Sequence, residues 1–343
     1  PGTAAGGRPF SEPKNSNQMS RTQMTNLLSK DEALAVLSTA RERRLEVGSI
    51  YRDATFGPRA SETWLRPEEL QFDGERQIKG IEINKRESWK VFRRQNSSVR
   101  DATNLGHAWL TSTALALAAI SPNVIDTLFV ERDEDVGCHV VKLRVPEGVR
   151  YVVIDDRFPT LGDGANSAWR LRYASCDKRQ LWLPLVEKAV AKVRGGYEAL
   201  SQRPCSTANA LTMLTGKPVE TLSWADPFEG GFESEELWSA LCGAKERGVL
   251  AFLTGAPGRE AADLGVAAGH AYAVVDVREE RLGGKCVAIA NHHRGRELKG
   301  MATMTVGNTT FAAADKKDDD DDDKKKGEEV PPPPPVAAVV GLA

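Results

Sequence analysis

Residues 107–120, His-Ala-Trp-Leu-Thr-Ser-Thr-Ala-Leu-Ala-Leu-Ala-Ala-Ile, are apolar around nearly the whole circumference of a helix and stop at Ser121-Pro122. A helix without a charged face has to be covered on every side. It therefore belongs at the centre of a globular unit, and the rest of the chain has to supply what surrounds it.

The flanking sequence offers candidates. Leu27, Leu28, Leu34, Val36 and Leu37 follow a helical pattern that ends near Arg44, and Ser29 with Glu32 forms a capping box at its start. Residues 51–70 are punctuated by Gly57-Pro58 and Arg66-Pro67, which predicts an irregular, extended path. Residues 140–145 and 149–155 are β-branched runs joined by Pro146-Glu147-Gly148, the pattern of a hairpin. A second helix is expected over 181–200. After Thr215 the pattern turns to strands at 249–253, 271–277 and 285–291, preceded by a helix that starts at Ser234 with Glu235 and Glu236 in its first turn and ends at Gly248. The expected class is α+β, with a helical lobe followed by an antiparallel β lobe that is cut short.

The expected divisions are a disordered 1–22, a helix and extended segment at 23–95, a helical lobe at 96–215, a β lobe at 216–311 and a low-complexity tail at 312–343. The first 22 residues are rich in Gly, Pro, Ser, Asn and Gln and have too few apolar side chains to offset their ordering entropy. The tail contains Asp318 to Asp323, Lys324 to Lys326 and Pro331 to Pro335 and reads as solvated. Beginning at Pro1, the chain is expected to be a piece of a longer protein.

Across 343 residues the net charge is −2, and residues 315–343 contribute −4 of it through nine acidic groups against five lysines. Neither the tail nor the remaining +2 calls for a nucleic-acid partner. Five scattered cysteines, Cys138, Cys176, Cys205, Cys242 and Cys286, form no Cys-x-x-Cys pair and suggest free thiols in a reducing compartment. No run reaches the roughly 18 apolar residues of a membrane span, and the N-terminus has no signal-peptide pattern. The expected location is cytoplasmic.

An ordered set of short motifs carries a family resemblance. Asn104-Leu105-Gly106-His107-Ala108-Trp109-Leu110 resembles the Leu-Gly-Asp-Cys-Trp-Leu of calpains, and Gly269-His270-Ala271-Tyr272 resembles their Gly-His-Ala-Tyr. Between them, residues 153–159 resemble Val-Ile-Asp-Asp-Arg-Leu-Pro. Residues 181–189, 196–200 and 214–216 resemble the helix, the Gly-Ser-Tyr-Glu-Ala-Leu and the Leu-Thr-Gly of the same family. Tyr51-Arg52-Asp53 and Trp64-Leu65-Arg66-Pro67 resemble its opening segment. The resemblance covers about residues 51–300 and implies a papain-like, two-lobed calpain protease core.

It also implies site residues. A cysteine protease needs a thiolate at a helix N-terminus, a histidine to take its proton and a third group to orient the ring. By resemblance these positions are Ala108, His270 and Asn291, so the nucleophile is missing. The oxyanion-hole glutamine falls on Ala102, the aspartate before the nucleophile on His107, and the tryptophan that shields the catalytic pair on His293. Four altered positions imply a native loss of catalysis and a pseudoprotease that binds a protein partner, cytoskeletal proteins being one candidate class. The other reading is an active, calcium-dependent endopeptidase of intracellular proteolysis. Conventional calpains bind calcium, but the glutamate expected before Leu181-Trp182 is Gln180, and no calcium ligand is assignable. No other cofactor or metal is implied.

Other candidates have simpler readings. Adjacent strand residues Cys138 and His139 point to opposite faces and make a poor proton-transfer pair. His292, His293 and Cys286 match no zinc spacing. Asp155-Asp156-Arg157 reads as a structural ion-pair turn.

Overall fold

The computed structural model describes residues 27–70, 89–92, 107–162, 170–176, 179–224, 234–254, 269–279, 285–290, 304–306, 309–314 and 336–342. Helix α1, Lys30–Val47, starts at the expected capping box. The Ser29 amide donates to Glu32 Oε2 at 2.8 Å, and the Glu32 amide donates to Ser29 Oγ at 3.3 Å. The helix runs a turn past Arg44, to Gly48 in the left-handed region. Between α1 and Leu70 the chain is mostly irregular, with only the short strand β1, Trp64–Leu65, and a 3₁₀ turn at Pro67–Glu69.

The central helix is α2, Ala108–Ile120, and every residue from Trp109 to Leu117 is buried. It breaks at Ser121, and Pro122 opens the short α3, Pro122–Asp126. Strands β2, Phe129–Asp133, β3, Cys138–Val145, and β4, Gly148–Asp155, form an antiparallel sheet in that order. The expected hairpin is the β3 and β4 pair. Its faces alternate by residue: Cys138, Val140 and Val153 pack on Ala33, Leu37 and Ala40 of α1, whereas Val141, Leu143, Val152 and Ile154 join the core around α2. The sheet thus separates α1 from α2. Short strands β5, Phe158–Leu161, and β6, Arg170–Leu171, complete a small ladder with β1.

One helix was expected over 181–200, and two are present: α4, Trp182–Arg194, and α5, Tyr197–Gln202. Gly195 and Gly196 break the run with φ of 90° and 138°, values that a residue with a Cβ rarely adopts. Helix α6, Thr207–Thr215, follows, capped by Ser206.

Beyond it lie β7, Thr221–Trp224, α7, Ser234–Glu246, β8, Leu250–Thr254, β9, Ala271–Glu279, and β10, Lys285–Ala290. Strands β11, Met304–Val306, β12, Thr309–Ala314, and β13, Val336–Leu342, complete a seven-stranded sheet ordered β11-β12-β10-β9-β8-β13-β7. Its centre, β8 to β10, is antiparallel as expected, while β12 joins β10 in parallel and β13 lies parallel to both β7 and β8. The tail was expected to be solvated to its end. Instead its final Val-Ala-Ala-Val-Val-Gly-Leu run, apolar and partly β-branched, takes a place in the sheet.

One face of β8 and β9 presents Phe252, Ala271 and Ala273 to the core around α2, and the other presents Ala251, Leu253 and Tyr272 to Leu237, Trp238 and Leu241 of α7. The molecule is a mixed α+β structure in which α2 is covered on all sides. Among the described residues no helix is long and apolar enough to cross a membrane.

Candidate active site

Ala108 is the first residue of α2, and His107 occupies the N-cap position without a side-chain capping bond. One turn on, the buried Ser112 hydroxyl donates to the Ala108 carbonyl and accepts from the Ala271 amide at 2.9 Å. His270 is buried immediately before Ala271. The structure thus brings the backbones at Ala108 and His270 to either side of a single hydroxyl. Asn291, Ala102, His292 and His293 lie outside the described residues.

A helix N-terminus suits a thiolate, because its unsatisfied amides and dipole favour negative charge. Here a methyl group holds that position. Three of the cysteines are poorly suited to replace it. Cys138 is buried on the face of β3 turned to α1, away from α2, and burial with the nearby carboxylates of Asp53, Asp133 and Asp155 pushes its thiol up to about 12. Its neighbour His139 faces the other side of the sheet, as expected. Cys176 is buried, and burial also raises the thiol of the partly exposed Cys242.

One element of the site was not legible in the sequence. His107, only 1% exposed, contacts Glu187 Oε1 through Nδ1 at 2.8 Å, and Glu187 Oε2 accepts from the Ala174 amide at 3.0 Å. The imidazole stacks on Tyr173 at 4.9 Å between ring centroids, and Tyr173 stacks on Tyr197 at 4.4 Å. Glu187 sits on α4, eighty positions from His107. No local pattern announces such a pair. The aspartate expected before the nucleophile is thus replaced by a histidine fixed between a carboxylate and two aromatic rings.

Behind the site, Asp155-Asp156-Arg157 forms the expected ion-pair turn, and it is larger than the sequence suggests. The Lys188 ammonium, on α4, donates to the Asp155 carboxylate, to the Asp155 carbonyl at 3.0 Å and to the Arg157 carbonyl. Lys192 donates to Asp53 Oδ2 at 2.7 Å and to the Val153 carbonyl at 2.7 Å, and Arg66 pairs with Asp156. These bonds clamp the segment around Asp53, the end of β4 and α4 together. Burial works against the Asp155 carboxylate, but Lys188, the Asp53 amide and Arg157 outweigh it and hold its pKa below the usual range.

Among the described residues no group of three or more His, Cys, Asp or Glu side chains is placed to hold a metal ion. Gln180, at the position of the implied calcium-binding glutamate, is a buried amide bridged through the backbone to Lys90. It lacks the charge of a carboxylate ligand.

A family profile described as "Calpain family cysteine protease" matches residues 46–306, enclosing the region of the sequence resemblance. The chain is 31% identical over 203 residues to the "Calpain-type cysteine protease DEK1" of Zea mays, covering 57% of this chain and 9% of that protein. It is 36% identical over 143 residues to "Calpain-5" of Mus musculus, covering 38% of this chain and 21% of that protein. It is 45% identical over 76 residues to "Calpain-10" of Rattus norvegicus, covering 22% of this chain and 10% of that protein. The chain therefore spans a small part of the relatives it matches. The order of motifs, the buried helix headed by Ala108 and a profile match over most of the length agree: this chain belongs to the calpain family of cysteine proteases.

Proposed function

We propose that this calpain-family domain is proteolytically inactive and works as a protein-binding pseudoprotease, in the papain-like, two-lobed arrangement of its family. The observation that carries the reading is Ala108 at the head of α2, where the reaction needs a sulfur atom. Loss of a nucleophile lowers turnover by about 10⁶, and the residual rate of such enzymes depends on an oxyanion hole that Ala102 would weaken. The partner is a protein segment that seats in the cleft of that two-lobed arrangement, with cytoskeletal proteins one candidate class and the cytoplasm the proposed location.

Homogeneous protein is expected to leave generic peptide substrates uncut at the level of a contaminating-protease control. Restoring the thiol alone, Ala108→Cys, is expected to give little turnover. Adding Ala102→Gln should raise that turnover by about 10²–10³, the usual contribution of one oxyanion donor. Robust cleavage by the native chain would overturn the proposal.

The names of the relatives, cysteine proteases among them, favour a second reading, a working cysteine endopeptidase with a different nucleophile, for which the family resemblance adds calcium dependence. It requires a thiol within reach of His270. Removing that histidine would then abolish activity, whereas the pseudoprotease reading predicts no activity to abolish.

A further inference from the structure

We propose that the space between β7 and β8 is a second docking site, a slot for an extended, uncharged segment of a partner protein, which this chain closes with its own tail strand β13. The slot is built from other residues than the candidate active site and stands whether or not the domain cleaves peptides. β13 pairs in parallel along both edges: residues 339–342 lie opposite 221–224 of β7, and residues 336 and 339–341 lie opposite 250 and 252–254 of β8. Among the described strands β7 has no other partner, so whatever fills this place joins β7 to the sheet.

No local turn sets β13 there. A hairpin strand takes its register from the turn that joins it to its neighbour. β13 instead follows Ala314 of β12 after 21 residues, 315–335, and β12 lies four places away in the sheet. Four strand spacings make about 19 Å, well inside the reach of such a connection. Pairing and burial alone hold the tail strand, and a segment of another molecule can reproduce both. In strand addition the main-chain bonds supply the affinity and the side chains the selectivity. Here the selection is for apolar character. β8 turns Phe252 to the core around α2 and turns Ala251 and Leu253 to α7, and the backbone of β13 comes within 8 Å of both α6 and α7. A parallel strand covered on both faces needs a nearly continuous apolar run, and a charge placed there would lose its water. The seven residues Val-Ala-Ala-Val-Val-Gly-Leu carry no charge. The partner segment therefore has the same chemistry: short, uncharged, and rich in small and β-branched side chains.

A labelled peptide of residues 336–342, with two lysines added for solubility, reads the slot. A tethered tail acts at an effective concentration of about 1 mM, so against a segment with an intrinsic Kd of about 10 µM it weakens a competing peptide about a hundredfold. Removing residues 330–343 is expected to tighten peptide binding by about that factor. Val339→Pro, in a chain of full length, should act in the same direction, because Val339 faces both Thr221 and Phe252 and proline cannot donate to either ladder. A peptide carrying Val339→Asp should bind at least about tenfold more weakly than the parent peptide. A further measurement needs no truncated protein: Thr221→Cys with Val339→Cys, opposite each other in the ladder, should form a disulfide within one chain, and peptide at about 5 mM should slow its formation about fivefold. Equal peptide affinity of the native and truncated chains, equal affinity for the charged peptide, or a disulfide that the peptide does not slow would each overturn the proposal. A disulfide joining two chains would also overturn it, by making the tail of a second copy the occupant.

Discussion

Lys188→Met is expected to lower the unfolding free energy by roughly 3–5 kcal/mol, the usual result of removing one member of a buried ion pair. Lys188 is fully buried at 0% exposure, with its ammonium over the Trp64 and Phe158 rings at 4.9 and 5.5 Å. Methionine fills nearly the same volume, so the loss isolates the charge from the packing. What remains is a buried carboxylate that has lost one of its two cations. Asp155 keeps the Asp53 amide at 2.9 Å and Arg157 Nε at 3.0 Å, but it loses its ammonium, and the Asp155 and Arg157 carbonyls lose a donor. Against a typical total of about 5–15 kcal/mol, this is a large fraction of the stability. Urea denaturation of the variant should show the midpoint falling with an unchanged slope. A loss under about 1 kcal/mol would mean that the clamp is not closed in solution.

The second large effect is acid destabilisation through His139. Its side chain is 1% exposed, and among the described residues neither ring nitrogen has a hydrogen-bond partner. It faces the α2 side of the sheet, where the surrounding charges are the Lys188 ammonium and the carboxylates of Glu134, Asp133 and Asp155. Burial outweighs the carboxylates and brings its pKa from 6.5 to about 4. The unfolded chain therefore takes up a proton in this window while the folded chain does not. Stability is intact above the unfolded pKa near 6.5 and falls as the pH drops toward 4, by about 3 kcal/mol in all. His139→Leu removes the titrating group and leaves no orphaned partner. The variant should match or exceed the native chain at pH 7 and lose less stability between pH 6.5 and 4. Parallel pH profiles for the two proteins would contradict this account.

Both predictions rest on features that the sequence conceals, for a common reason. Local signals were legible: the Ser29 and Glu32 capping box, the apolar run closed by Ser121-Pro122, and the β-branched runs of the hairpin all depend on residues a few positions apart. The motif frame likewise made Ala108 and His270 visible, though Asn291 and Ala102 rest on resemblance alone. Partners distant in sequence were not legible. Glu187 meets His107, Lys188 meets Asp155 and Ser112 meets Ala271 across separations of 80, 33 and 159 residues. Propensity and periodicity carry no information at that range. Two local misreadings have local causes: the apolar pattern around Gly195-Gly196 continues through a backbone that cannot stay helical, and the charged, proline-rich tail distracts from the strand-forming run at its end.

The account turns on the absence of a working thiol beside His270. Incubating homogeneous native protein with an epoxide or vinyl-sulfone inhibitor of papain-type cysteines, followed by intact mass measurement, tests this most directly. The account predicts an unmodified chain in both calcium and EGTA. A stoichiometric adduct mapped to one cysteine, and lost in His270→Ala, would contradict it.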